Sequence, residues 1–274
     1  MSIILRMCRA VGGVSGRWRG GFCGEFARRR FGEKLMGRRI LLVIVLGCLV
    51  ASPSLGGWQE GRQAFDRGDY ATALKELHPL AEEGDRGAQA LLGYIYDNGS
   101  KHGVPRNPHA AYKWYRLAAE QGDAQSQVAL GRMYWEGRDI QQDYGAALRM
   151  YEMAAAQGAS AGQSGLGTMF MNGYGVDKDY GVARKWYQLA ADQGNGFAQL
   201  QLGHIYYEGT GVPQDLVQAY MWFSLAATKG AKGATFLRDY MAKSMTAEQI
   251  DEARRLARDW KPTGVREYGK GTEP

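Results

Sequence analysis

Gly122, Gly158, Gly194 and Gly230 stand at equal steps of 36 residues along the middle of this 274-residue chain. The residues before them repeat as well, as Leu-Ala-Ala-Glu-Gln, Met-Ala-Ala-Ala-Gln, Leu-Ala-Ala-Asp-Gln and Leu-Ala-Ala-Thr-Lys. A fixed period of about 20–50 residues marks a solenoid, in which each supersecondary unit buries its apolar side only against its neighbours. An array of that kind presents a long surface and seldom encloses a reaction centre.

The unit is clearest over 196–230. Ala198, Leu202 and Tyr206, four apart, form one stripe of a first helix, and Ala219, Trp222, Phe223 and Ala226 form the stripe of a second. Between them, Gly209-Thr-Gly211-Val-Pro213-Gln-Asp215 cannot continue a helix. Asp215 and its counterparts Asp179, Asp143 and Asn107, each 36 residues apart, read as N-caps whose oxygens accept the first free N–H groups of the second helix. Catalytic carboxylates are the competing reading and yield to capping on that ground. Gly122, Gly158, Gly194 and Gly230 suit the opposite end of that helix, where a left-handed residue is common.

A second series, Gly93, Gly131, Gly167 and Gly203, falls inside the first helix, where glycine costs roughly 1 kcal/mol against alanine. Such a cost is expected where the paired helix presses on the backbone. The aromatic pairs Trp114-Tyr115, Trp186-Tyr187 and Trp222-Phe223, with Met150-Tyr151 as the variant, read as core packing rather than a stacking platform for bases or sugars.

Four motifs carry a family resemblance: Gln-x-x-Leu-Gly-x-x-Tyr within 124–134, Gly-x-Gly-Val at 173–176 and 209–212, Ala-x-x-Trp-Tyr at 183–187, and Ala-Ala-x-x-Gly at 190–194. The chain resembles the Sel1-like repeat proteins, relatives of the tetratricopeptide repeats with a longer loop between the two helices, over about residues 58–260. The resemblance implies an all-α fold, a right-handed α-solenoid of stacked antiparallel helix pairs. Two departures stand out. The loop between Gly99 and Gly103 holds two extra residues, and Asp139 replaces a glycine at a position expected to need positive φ.

The expected organisation is a tetratricopeptide-like helix pair at 58–86, four repeats at about 87–123, 124–159, 160–195 and 196–230, capping helices at 231–260 and a disordered tail at 261–274. Thr246-Ala-Glu-Gln249 fits a capping box opening the last helix, whose outer face carries Glu248, Asp251, Glu252, Arg255 and Arg258.

The formal charge of +6 is concentrated at one end: residues 1–51 carry a net +8, and 52–274 a net −2. Nucleic-acid binding requires clustered Lys/Arg, which a near-neutral array lacks. Cys8, Cys23 and Cys48 also precede residue 52, so the repeats hold neither a disulfide nor a thiolate metal site. Met36-Gly-Arg-Arg, a twelve-residue apolar run from Ile40 to Ala51, and Ser-Pro-Ser have the three-part layout of a secretory signal peptide. Twelve residues make roughly 18 Å of helix, short of a ~30 Å hydrocarbon core.

Export to the periplasm or medium is therefore expected. A membrane-anchored lipoprotein acylated at Cys48 of Val45-Leu46-Gly47-Cys48 is the second choice, against which the apolar run continues past the cysteine. Residues 1–35, with Arg28-Arg29-Arg30-Phe31 a weak twin-arginine match, read as an upstream extension.

The search for chemistry is largely negative. No His-Glu-x-x-His, Gly-x-Ser-x-Gly, Ser-x-x-Lys or phosphate-binding loop occurs, and Asp177-Lys-Asp179 lacks the rest of a calcium loop. Some Sel1-like proteins, rich in cysteine, are linked to β-lactams; the cysteine-free array does not match them. No enzyme, cofactor or metal is expected, and binding remains.

By the family geometry the first helices line a concave face, where Tyr94 and Asp97, Arg132 and Trp135, Thr168 and Met171, and His204 and Tyr207 point toward a protein partner. Packing at repeat junctions is the competing role for Trp135 and Tyr207. The resemblance implies an envelope-associated scaffold or regulator; a carbohydrate- or cell-wall-associated binder or hydrolase is the alternative.

Overall fold

Every second helix in the array opens on a side-chain cap. In the computed structural model, which describes residues 53–99 and 103–262, the Oδ1 atoms of Asn107, Asp143, Asp179 and Asp215 accept the N–H groups of Ala110, Ala146, Val182 and Gln218 at 2.8–3.1 Å. The first helices are capped likewise by Asp85, Asp123 and Asn195, while the third repeat has Ala159 there and no cap bond. At the far end of the second helices, Gly122, Gly158, Gly194 and Gly230 hold φ of +71° to +85°. The amide of Gly122 bonds back to Ala119, and that of Asp123 to Ala118. The turn is thus so tight that Asp123, one residue past the glycine, already caps the next helix.

Twelve α-helices and no strand result among the described residues. They are α1 (Pro53–Asp66), α2 (Tyr70–Glu82), α3 (Arg86–Asn98), α4 (Pro108–Glu120), α5 (Ala124–Glu136), α6 (Tyr144–Ala156), α7 (Ser160–Asn172), α8 (Tyr180–Asp192), α9 (Gly196–Glu208), α10 (Leu216–Thr228), α11 (Ala234–Met241) and α12 (Ala247–Asp259), with a 3₁₀ turn at Ala242–Ser244. From α2 to α10 each helix packs against the next in sequence, and the last helix, α12, returns onto α10. Residues 54–262 are thus an α-solenoid of stacked helix pairs. The leader, the residues before it and the tail from 263 lie outside the described residues, as do 100–102 of the lengthened loop.

The glycines inside the first helices have a specific partner. A Cβ built on Gly93, Gly131, Gly167 or Gly203 would lie 2.5–2.7 Å from the ring of Tyr115, Tyr151, Tyr187 or Phe223. Each ring comes from the second helix of the same repeat and is buried. The propensity cost of about 1 kcal/mol is offset by seating a large aromatic side chain flat on the backbone. Burial pushes the Tyr187 hydroxyl up to about 12, and that hydroxyl lies 3.0 Å from Thr168 Oγ1.

A ladder of buried amide pairs runs through the stack, one pair within each of the first three repeats. Gln89, Gln127, Gln163 and Gln199 are buried in the first helices. Gln121, Gln157 and Gln193, ending the second helices, donate Nε2 to Oε1 of Gln89, Gln127 and Gln163 at 2.8 Å each. Lys229 stands at the fourth position, and Gln199 Oε1 is left without a partner.

Asp139 corrects one expectation. Gly173, Gly175, Gly209 and Gly211 hold φ near +70°, and Gly137 holds +62°, but no described non-glycine residue has positive φ. Left-handed backbone costs an L-residue roughly 1–2 kcal/mol, so this loop takes another path. There the Asp139 carboxylate accepts the guanidinium of Arg106 from the preceding loop. That cation holds Asp139 below the usual carboxylate range. At the C-terminal end Thr246 and Gln249 form a reciprocal capping box at 3.0 and 3.3 Å. Ala253 is buried on the inner side of α12, while Glu248, Asp251, Arg255 and Arg258 are exposed.

Candidate partner-binding face

First helices of successive repeats touch directly, α3 with α5, α5 with α7 and α7 with α9. Their side is therefore the tighter, inner side of the stack. Positions one turn around from the buried leucines project there, and the structure separates the eight residues that the sequence places on this face.

Three of them come together. Arg132 and Trp135 of α5 and Thr168 of α7 line one open cleft of about 240 Å³. Its floor is Tyr151, its edge Phe197 of α9, and its α7 wall is built from Ala161, Ser164 and Gly165. The same register holds Gln125, Val128 and Ala129 in the repeat before, and Phe197, Leu200 and Gln201 in the repeat after. Small side chains on α7 therefore leave the space. Trp135 is half-buried, with its ring 6.3 Å from Tyr174, so it packs and lines the cleft together.

The others lie elsewhere. Asp97 accepts Arg132 at 2.7 Å across the α3–α5 junction and also meets Arg106 at 3.4 Å. With Arg106 on Asp139, the charges form a chain of alternating sign over two loops and two helices. Tyr94, 42% exposed, sits edge-on to Phe65 at 5.4 Å near the start of the stack. Met171 packs onto the α8–α10 core. His204 is half-buried, edge-on to Phe223 at 5.3 Å, and burial lowers its pKa. Tyr207 lines a separate cleft with Phe236 and Tyr240.

Sequence reading missed Phe197, Phe236 and Tyr240, which are 48%, 71% and 55% exposed. A signal existed for the last: Tyr240 stands 36 residues after His204, in the same row, but the degenerate fifth unit hides its register. Among the described residues no group of His, Cys, Asp and Glu could hold a metal ion, and none of their helices is long and apolar enough to cross a membrane. The recurrent aspartates are occupied as caps.

Stacked helix pairs with a cation-rimmed apolar cleft on their inner side define a helical-repeat interaction scaffold. The Sel1 repeat profile matches residues 87–123, 124–158, 160–195 and 196–230, more than half of the chain, and the chain belongs to the Sel1 repeat family. Sel1 repeats generally act as non-catalytic scaffolds for protein–protein interaction.

A protective antigen of uropathogenic Escherichia coli displaying an SLR fold is 36% identical, with a TM-score of 0.70 over 76% of this chain and 45% of its own. A Sel1 repeat protein from Oxalobacter formigenes is 30% identical, with a TM-score of 0.62 over 72% of this chain and 83% of its own. Chitin synthase regulatory factor 4 of Schizosaccharomyces pombe is 35% identical over 71 residues, 26% of this chain and 11% of that protein. The chain thus spans less than half of the E. coli antigen and a small part of the yeast factor.

Proposed function

We propose that this chain is an exported, non-catalytic scaffold that holds a protein partner in the cell envelope as an adaptor or regulator. The α5–α7 cleft carries that reading, because it sets Arg132 and Trp135 beside an apolar hollow, and Arg, Trp and Tyr dominate interface hot spots. Export rests on the Met36–Ala51 leader. A repeat region without cysteine also keeps its packing unchanged in an oxidising compartment. The yeast factor, regulatory by name, supports a regulator over a catalyst. The recurrent second-helix tryptophans do not offer a carbohydrate platform, since Trp114 and Trp222 are each 4% exposed.

The test places a photo-crosslinking phenylalanine analogue at Phe197 of the full chain in cells. A discrete protein adduct in the periplasmic fraction, lost with Trp135→Ala, is expected. Absence of any protein adduct, with retention instead on purified cell-wall polymer, overturns the reading. Mass spectrometry of the mature N-terminus checks export separately: a start after residue 51 or a lipid on Cys48 fits, and an intact Met36 refutes it.

A further inference from the structure

The α5–α7 cleft has a twin. A smaller cleft of about 150 Å³ between α9 and α11 is lined by Tyr207, Phe223, Phe236, Leu237, Tyr240 and Met241. Each of these stands two 36-residue periods after a residue lining the first cleft: Trp135, Tyr151, Ser164, Gly165, Thr168 and Met169. The same hollow, above the second-helix ring and between two first helices, therefore opens twice.

The junctions before and between are closed by other means. The Asp97–Arg132 ion pair spans α3 and α5 at 2.7 Å. Between α7 and α9, Phe197 stands edge-on to Tyr187 at 6.3 Å.

We propose that the two clefts form a paired dock for one extended segment of a protein partner. The segment carries a bulky apolar side chain beside a carboxylate for the α5–α7 cleft, and a second, wholly apolar side chain for the α9–α11 cleft. This rests on the scaffold reading above and names the partner's chemistry. Both hollows fall below the roughly 300–1,000 Å³ of small-molecule sites and suit single side chains. Arg132 is the one charged residue lining the first; Asp97 takes its Nη2 at 2.7 Å, but the side chain stays half exposed, and its other N–H groups suit a second carboxylate there. No charged residue lines the second. At its rim Phe236 and Tyr240 stack at 6.1 Å and 21° with their outer faces in water, an apolar patch left without cover among the described residues. Two first-helix steps at up to ~10 Å each put the clefts roughly 20 Å apart. An extended chain covers that span in about six residues.

The experiment pans a phage library of random peptides against the full chain and measures the enriched peptides by fluorescence anisotropy on three variants. Ser164→Leu fills the first cleft, and leucine is compatible with that register because Leu200 occupies it one repeat on. Phe236→Ala removes an exposed wall of the second, and Arg132→Glu reverses the rim charge.

Enriched peptides with a bulky apolar residue next to Asp or Glu, and a second bulky residue about six positions away, are expected. Each cleft variant should weaken them at least tenfold, since losing one of two linked contacts forfeits an avidity of up to about 10²–10⁴. No enrichment, an enriched motif without acid, or unchanged affinity on Ser164→Leu and Phe236→Ala overturns the paired dock. If the Phe197 adduct forms in cells while these variants bind normally, the scaffold reading stands and only the paired dock falls. Circular dichroism of the variants separates lost binding from lost fold.

Discussion

Replacing Lys229 with glutamine should stabilise the array, because it completes a ladder that the fourth repeat leaves open. Gln199 is fully buried and its Oε1 has no partner. In the three preceding repeats the equivalent oxygen accepts a glutamine Nε2 at 2.8 Å. The backbone is already set for that donor. Lys229 holds φ −90° and ψ 4°, while Gln121, Gln157 and Gln193 hold −86° to −87° and 2° to 7°.

A buried acceptor left unmade costs roughly 1–3 kcal/mol. Losing an exposed cation at a helix C-terminus gives back only about 0.3–1 kcal/mol. The acceptor term is the larger, so Lys229→Gln is expected to gain on the order of 1 kcal/mol, or about 2–4 °C in Tm for a chain of this size. Thermal unfolding followed by circular dichroism reads the global effect, and hydrogen exchange in α9 and α10 reads the local one. The decisive control is the double-mutant cycle: in a Gln199→Ala background the same substitution must gain nothing. A rise that survives Gln199→Ala, or no rise with Gln199 present, would refute the ladder argument.

Three further outcomes follow from the same geometry. Ala159→Asp supplies the one N-cap missing among the first helices of the four repeats, on backbone at φ −65° and ψ 113°; a gain of about 1 kcal/mol in urea unfolding is expected. Gly203→Ala adds a Cβ 2.5 Å from the Phe223 ring; overpacking of roughly 1–3 kcal/mol outweighs the ~1 kcal/mol propensity gain, so a net loss is expected, and a more stable variant would contradict the backbone–ring contact. His204, whose pKa burial lowers from 6.5, binds its proton more weakly folded than unfolded. Stability is therefore complete above the unfolded value and declines as pH falls through 6.5 toward the folded value, and His204→Gln should remove part of that decline in melts between pH 7 and pH 5.

What the sequence exposes depends on whether a residue's physical task leaves a local trace. Caps and left-handed glycines do: Asp143, Asp179 and Asp215 recur because the same orphan N–H groups recur. Gly131 and Tyr151 sit 20 residues apart in sequence, so the pressure on the helix backbone was legible but its source was not. The glutamine ladder was invisible for a different reason. Gln157, next to a helix-ending glycine, reads as solvated until its partner Gln127 is seen buried on the paired helix of the same repeat, 30 residues earlier. Asp139 shows the opposite error, since carrying a glycine's φ over by register assumes an unchanged loop path, and Arg106 supports another one.

The partner face is the hardest to read because its central feature is a deficit. The α5–α7 cleft exists where Ala161, Ser164 and Gly165 replace larger residues, and small side chains carry no motif. In a repeat protein, however, the neighbouring copies supply the missing reference. Measured against Leu200 and Gln201, Ser164 and Gly165 are departures from a template rather than unremarkable small residues. The same comparison run forward exposes Lys229 against three glutamines, and Tyr240 against the row of Tyr94, Arg132, Thr168 and His204. Deviations between copies in one chain separate packing from recognition. Packing must be solved alike in every repeat, as the four rings on four glycines are. A surface that singles out one partner has to differ from repeat to repeat, and this one does so on the side where first helix meets first helix.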